Sequence, residues 1–186
     1  PLREGVVFDF DSTLALLSHF VHKVHDRPGR GFSIPRPRVV VGVPTRITEV
    51  ERRAILDAVT IAGAREVFLV EEPMAAAIGA GLTVDEPVGS MVVDIGGGTS
   101  EIAVISLGGI VVGQSLKIAG DAMNNVITAY VRSRHGLLLG EGTVEQIKIQ
   151  MASAIPMPVE KEMTVRGRDL EKGLPRSVKL TSVQIR

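Results

Sequence analysis

The chain holds 186 residues, enough for one large domain or two small ones, and its 45% apolar content is ample for a packed core. Lys plus Arg and Asp plus Glu balance at 21 each, and aromatics make up 3%, so the basic surplus and stacking platforms that nucleic-acid binding draws on are both missing. Zero Cys excludes disulfides and thiolate zinc sites and suits a reducing compartment, and no apolar run reaches the roughly 18 to 20 residues that cross a bilayer.

Pro1-Leu2-Arg3-Glu4-Gly5 precedes only a short apolar patch and does not read as a secretory signal. The chain starts at Pro1 without an initiator Met and stops at Gln184-Ile185-Arg186 without a closing signal, so we expect a piece of a longer protein. Asp9-Phe10-Asp11-Ser12-Thr13 offers helix caps, and Leu14, Leu17, Val21 and Val24 follow at helical spacing up to a stop near Asp26-Arg27-Pro28-Gly29. His19, His22 and His25 fall three apart on that helix. Three-residue steps drift around it and no carboxylate completes a shell, so a solvated edge is expected there rather than a metal site.

After a proline-containing loop with two apolar residues, Phe32 and Ile34, the run Arg38 to Val43 is a strand too uniformly apolar to be half exposed, which predicts a buried parallel strand. Thr48-Glu49-Val50-Glu51 is a capping box for a helix that presents Val50, Ala54, Ile55, Ala58, Val59 and Ala62 to the core and ends at Gly63. Glu66 to Val70 is the next strand. Glu71-Glu72-Pro73 opens a small-residue helix through Gly81, with the proline in its first turn. Strand, helix, strand, helix predicts an α/β fold.

Thr83 to Gly89 is a connector, after which the pattern changes. Val92–Asp94, Ser100–Ser106 and Ile110–Ile118 read as an antiparallel meander joined by glycine turns. Asp121 to Arg134 is a helix with Met123, Val126, Ile127, Tyr130 and Val131 on one face, and Thr143 to Ser153 a second with Val144, Ile147 and Met151 inward. Glu162–Arg166 and Ser177–Thr181 are strands around a Lys172-Gly173-Leu174-Pro175 turn.

The most informative stretch is Val92-Val93-Asp94-Ile95-Gly96-Gly97-Gly98-Thr99-Ser100-Glu101, a strand, a bare glycine turn and a strand. Glycines let backbone N–H groups approach an anion closely and permit φ > 0. Asp94 is placed to hold a hydrated Mg²⁺, and Thr99 to hydrogen-bond a phosphate or an attacking water. By itself the pattern also fits a flexible hairpin with a solvated acid. Glu72, at a helix start directly after an apolar strand, stands where α/β folds gather strand ends and helix N-termini, and a carboxylate there can orient water toward a terminal phosphate. It fits equally an N-terminal acid favoured by the helix dipole.

Arg36-Pro37-Arg38-Val39-Val40-Val41-Gly42-Val43-Pro44, Gly63-Ala64-Arg65-Glu66-Val67, Glu71-Glu72-Pro73-Met74-Ala75-Ala76-Ala77-Ile78-Gly79, the Asp94-to-Glu101 hairpin and Ala103-Val104-Ile105-Ser106-Leu107-Gly108-Gly109-Ile110 resemble the MreB family, the bacterial actin homologues. The resemblance runs from Leu2 to Leu170 and extends, more distantly, to heat-shock chaperone ATPases and sugar kinases. It implies an actin-like, ribonuclease H-like α/β ATPase fold of mixed sheets flanked by helices. Residues 1–82 would form the end of a first lobe, 83–138 the core of a second, and 139–186 its incomplete outer subdomain.

Carried over by position, the resemblance implies ATP with Mg²⁺ as the ligand. Asp94 would stand near the metal, and Gly96, Gly97, Gly98 and Thr99 would form the second phosphate hairpin. Glu72 and Thr99 would handle the hydrolytic water. Gly120 would open a helix near the nucleotide, and Glu145, Gln146, Ile147 and Lys148 would lie in a segment touching adenosine. Phe32 and Ile34, flanked by Arg30, Arg36 and Arg38, would contact the inner membrane surface, as a hydrophobic loop does in relatives.

The resemblance further implies a cytoplasmic, membrane-peripheral protein that self-assembles into filaments, maintains rod shape and works with cell-wall synthesis and morphogenesis proteins. No nucleic-acid partner is implied. Two departures stand out: Ala119-Gly120-Asp121 replaces the usual Gly-Gly-Asp, with Asn124-Asn125 where relatives carry acids, and Gly142 falls where they carry a longer side chain. The first phosphate loop and the glycine-rich segment that closes over adenosine are not found in these residues. Relatives are slow ATPases, and this chain alone is expected to be inactive and to bind ATP weakly. A small-molecule kinase of the same superfamily, or a non-hydrolysing interaction module on the same fold, are the alternatives.

Overall fold

The computed structural model describes residues 2–3, 6–25 and 36–186, which divide into two compact units, Pro1–Ala119 and Gly120–Arg186. In the first, β1 (Leu2–Arg3) and β2 (Val6–Val7) form a short antiparallel hairpin. Helix α1 (Phe10–His25) starts where the Asp9 carboxylate accepts from the Ser12 amide at 2.7 Å. The expected stop at 26–29 and the apolar loop residues Phe32 and Ile34 lie outside the described residues.

Strands β3 (Arg38–Val43) and β4 (Glu66–Glu71) pair in parallel, from Arg38 opposite Glu66 to Val43 opposite Glu71. The crossover is α2 (Glu49–Ile61), and its start is held by the expected capping box: the Thr48 hydroxyl accepts from the Glu51 amide while the Glu51 carboxylate accepts from the Thr48 amide. Gly63 follows the helix at φ 113°, a backbone that a side chain would strain.

The predicted parallel pairing is present, but the double-sided burial of β3 is not. Val39, Val41 and Val43 pack with Ile55 and Val59 of α2 and Leu17 of α1, whereas Val40 is 67% exposed and Phe68 of β4 is 50% exposed. An unbroken apolar run makes both faces suitable for burial, and among the described residues the helices cover one. Val50, expected inward, sits in the first turn of α2 and is exposed.

Helix α3 (Glu72–Gly79) follows β4 without a loop. Strands β5 (Ser90–Ile95), β6 (Ser100–Ser106) and β7 (Gly109–Leu116) make the predicted meander. Ala103 and Ile105 of β6 pack with Ala77 of α3 as a second small core. Positive φ falls at Leu107 and Gly108 in the β6–β7 turn, whose amides donate to the carbonyls of Glu86 and Val84 in the connector.

The second unit contains α4 (Gly120–His135), β8 (Leu137–Leu138), α5 (Glu141–Met151), β9 (Glu162–Asp169), β10 (Pro175–Thr181) and α6 (Ser182–Ile185). Its antiparallel sheet runs β10-β9-β8. Ile127, Val131, Leu137, Leu139, Val144, Ile147, Met151, Val165 and Leu180 form one continuous core. On α4 only Ile127 and Val131 of the expected face are buried; Met123 and Val126 are exposed, because the α4 stripe is narrower than its apolar content suggests. Val144, Ile147 and Met151 point inward as expected.

A Cβ at Gly167 would collide with the Leu138 carbonyl oxygen, so β8 runs directly over bare backbone. Asp169 Oδ1 accepts from the amides of Glu171 and Lys172 at 2.9 Å each, and Oδ2 meets Arg176 Nε at 2.6 Å, which fixes the β9–β10 turn. No described helix is long and apolar enough to cross a membrane.

Candidate functional site

Glu72 is the first residue of α3, placed there because β4 runs straight into the helix and Pro73 fits its first turn. Its side chain lies beside the bare backbone of β3, where a Cβ on Gly42 would be 3.4 Å from Glu72 Cγ. Burial raises the Glu72 pKa above the usual carboxylate value, and the neighbouring charges of Asp94 and Glu101 raise it further. Glu72 on α3 thus feels the charges of Asp94 on β5 and Glu101 on β6, and the last two stand directly opposite in the antiparallel register.

The Asp94 strand ends in the glycine turn. The Gly96 amide donates to the Thr99 carbonyl at 2.9 Å, and a Cβ on Gly96 would press on that oxygen at 3.3 Å. Thr99 and Ser100 are buried at its far side. Among the described residues, positive φ is found at Gly63, Gly81, Gly108, Gly136 and Gly173. The turn glycines contribute open, side-chain-free backbone. The first unit thus brings Glu72, Asp94 and the Gly96–Thr99 turn into one α/β frame. Among the described residues, no three His, Asp or Glu side chains gather as a metal-binding group; His25, the third of the first-helix histidines, has its side chain outside them.

In the second unit, Gly120 opens α4 and is buried. Lys148 Nζ reaches its carbonyl at 3.3 Å and pairs with Glu145 Oε2 at 2.8 Å. The same Glu145 oxygen accepts from Asn124 Nδ2 at 2.8 Å. Lys148 and then Asn124 hold the Glu145 carboxyl below the usual range by hydrogen bonding. Asn124 Oδ1 is buried without a partner. Gln146 is exposed and accepts from Gln150, and Ile147 is wholly within the core, so these two α5 residues face away from the Glu145–Lys148 pair.

Pattern reading passed over Glu101, which is only 1% exposed. Its Oε2 accepts from the Thr45 amide at 3.3 Å and the Thr45 hydroxyl at 2.8 Å, and its Oε1 from the Ser115 hydroxyl. The signal was present: Glu101, Ala103 and Ile105 alternate on one face, which puts an acid at a core position.

The architecture is that of the actin-like ATPases, the fold shared by the solved structures that match it. A crystal structure of MreB5 of Spiroplasma citri bound to ADP superposes with a TM-score of 0.90 at 35% identity, covering 100% of this chain and 54% of that one. The family model for MreB/Mbl protein matches residues 1–186. The cell shape-determining protein MreB of Escherichia coli K12 is 53% identical over 185 residues, and the cell shape-determining protein Mbl of Bacillus subtilis is 44% identical over 185. Both matches cover 100% of this chain and just over half of the relative: 52% and 54%. The chain belongs to the MreB/Mbl family, and this membership does not favour the small-molecule kinase alternative. It spans about half the length of the curated relatives it matches.

Proposed function

We propose that the chain supplies ATP-handling residues to a cell shape-determining, actin-like filament protein. The observation that carries this reading is the placement of Glu72, half-buried at the start of α3 against Gly42, and of Asp94 at the edge of a side-chain-free turn ending in buried Thr99. A half-buried carboxylate with a raised pKa among acids is a group kept for a task rather than for stability. In this reading the Gly96–Thr99 amides hold phosphate oxygens, and Glu72 with Thr99 orients the water that attacks the terminal phosphate.

Asp94 would hold Mg²⁺ through water, where the ion offsets phosphate charge. Glu145 and Lys148 serve the adenosine end, with Gly120 at the start of the neighbouring helix. The MreB5 structures bound to ADP and AMPPNP support a nucleotide ligand. Phosphate release by the complete gene product is expected to fall at least tenfold in Glu72→Ala, about 1.4 kcal/mol of barrier, with ATP still bound. Unchanged release would end the reading.

Self-assembly into filaments, attachment to the inner membrane face from the cytoplasm, and work with wall-synthesis and morphogenesis proteins belong to the same proposal. Phe32 and Ile34 are the residues chosen for lipid contact, supported by the cations Arg36 and Arg38 beside them in sequence. Co-sedimentation with anionic liposomes should drop when both are changed to Ser; retention at wild-type level would remove membrane contact from the proposal.

A further inference from the structure

Glu101 is a buried carboxylate whose hydrogen-bond donors are one backbone amide and two hydroxyls rather than a cation. Burying a charge on neutral donors is expensive, and the alternating positions on the same strand face, Ala103 and Ile105, show that an apolar side chain fits this layer. What the acid gains is a connection. Thr45 lies in the loop between β3 and α2, Glu101 on β6 and Ser115 on β7, so one carboxylate joins the parallel pair to the meander.

The same loop is drawn onto the meander twice more. Arg46 Nη2 donates to the Gly113 carbonyl at 3.3 Å, and Thr45 Cγ2 sits so close to Gly113 that a Cβ there would be 3.1 Å away. The consequence reaches Glu72. That side chain rests against Gly42 of β3, three residues before Thr45, whereas Asp94 and Thr99 flank the β5–β6 turn. Alongside the packing of Ala77 of α3 on Ala103 and Ile105, the relative position of Glu72 and Thr99 depends on how β3 is fastened to β6, and Glu101 is a fastening there that reaches both strands β6 and β7.

We propose that Glu101 is a positioning residue for hydrolysis: by clamping Thr45 to Ser115 it holds the Glu72 side of the first unit in register with the Asp94–Thr99 turn. This rests on the reading that Glu72 and Thr99 handle the water. Positioning acts on the step that needs geometry, so the effect should fall on turnover rather than on nucleotide affinity.

The test is ATP hydrolysis and nucleotide affinity measured in the complete gene product. Glu101→Ala is expected to lower kcat by about 10- to 100-fold with affinity within about threefold. Glu101→Gln keeps the shape, accepts from Thr45 and donates to Ser115, and should recover most of the turnover. Thr45→Val and Ser115→Ala each remove one donor and should lower kcat several-fold, and they decide the matter if Glu101→Ala does not fold. Wild-type turnover in folded Glu101→Ala or in both donor variants, a loss of affinity matching the loss of kcat, or a Gln variant as impaired as Ala would each overturn the proposal. Glu72→Ala run alongside separates the two readings. If it hydrolyses normally, the site assignment fails; if it is inactive while the Glu101 and donor variants are unimpaired, only the clamp fails.

Discussion

One carboxylate of the first unit is treated unlike the prominent acids of the second. In the second, each prominent acid has donors or a cation on it: Asp169 accepts from the Lys172 and Glu171 amides and pairs with Arg176, Glu160 meets the Ser182 hydroxyl and Arg186, and Glu145 meets Lys148 and Asn124. All three carboxyls are held below their usual range. In the first, hydrogen bonds hold Asp9 and Glu51 low in the same way, whereas Glu72 is left among acids and pushed the other way. The cores differ in parallel, with nine buried residues in one cluster against two smaller clusters. A carboxylate with donors on it adds to persistence, whereas one set among acids is suited to receive something positive or to move a proton.

The largest effect that sharpens this contrast is expected in the second core. Leu180→Ala removes a side chain that is fully buried, and should cost about 2–5 kcal/mol by urea unfolding. A value below 1 kcal/mol would mean that the cluster is less consolidated than its burial indicates.

The pH response comes next, and its sign separates Asp169 from Glu72. Asp169 has a lowered pKa in the folded state, so its contribution is present above the ordinary carboxylate range and is lost as pH falls through the lowered value. Asp169→Asn should therefore lower the melting temperature near neutral pH and make little difference in strong acid. Glu72 runs the opposite way. Its folded pKa is raised, so stability from this group is full below the ordinary value and falls as pH rises through the raised one. Glu72→Gln should accordingly raise the melting temperature slightly near neutral pH while impairing hydrolysis. Equal responses from both variants would break the comparison.

Local chemistry made much of this legible in advance. The Thr48–Glu51 capping box, the Gly63 stop and the Asp94–Thr99 turn each depend on neighbours within a few residues, and each is where the pattern put it. Long-range facts were not legible. Nothing in Leu137-Leu138 announces pairing with Arg168 and Asp169 thirty residues on, and nothing in an all-apolar β3 says which face a helix covers. The Thr181–Gln184 box that starts α6 was readable by the rule that found the first one and was passed over.

The candidate site divides along the same line. Glu72 and Asp94 stand out as acids at element ends. The part played by Glu101 needs Thr45, 56 positions earlier, to be known as its partner. Ile147 shows the reverse: a residue placed in a ligand-touching segment by resemblance has its side chain wholly in the core, since neighbours on a helix point in different directions.

The missing side chain at Gly167 has a consequence for descent. With the Leu138 oxygen and the Leu137 and Leu139 side chains all inside the space of a methyl group, any substitution there requires residues 137–139 to take another path. The position works as a lock on evolutionary drift: a homologue that has lost this glycine is expected to have rebuilt the passage from α4 into the β8–β10 sheet as well, and the two changes should be inherited together.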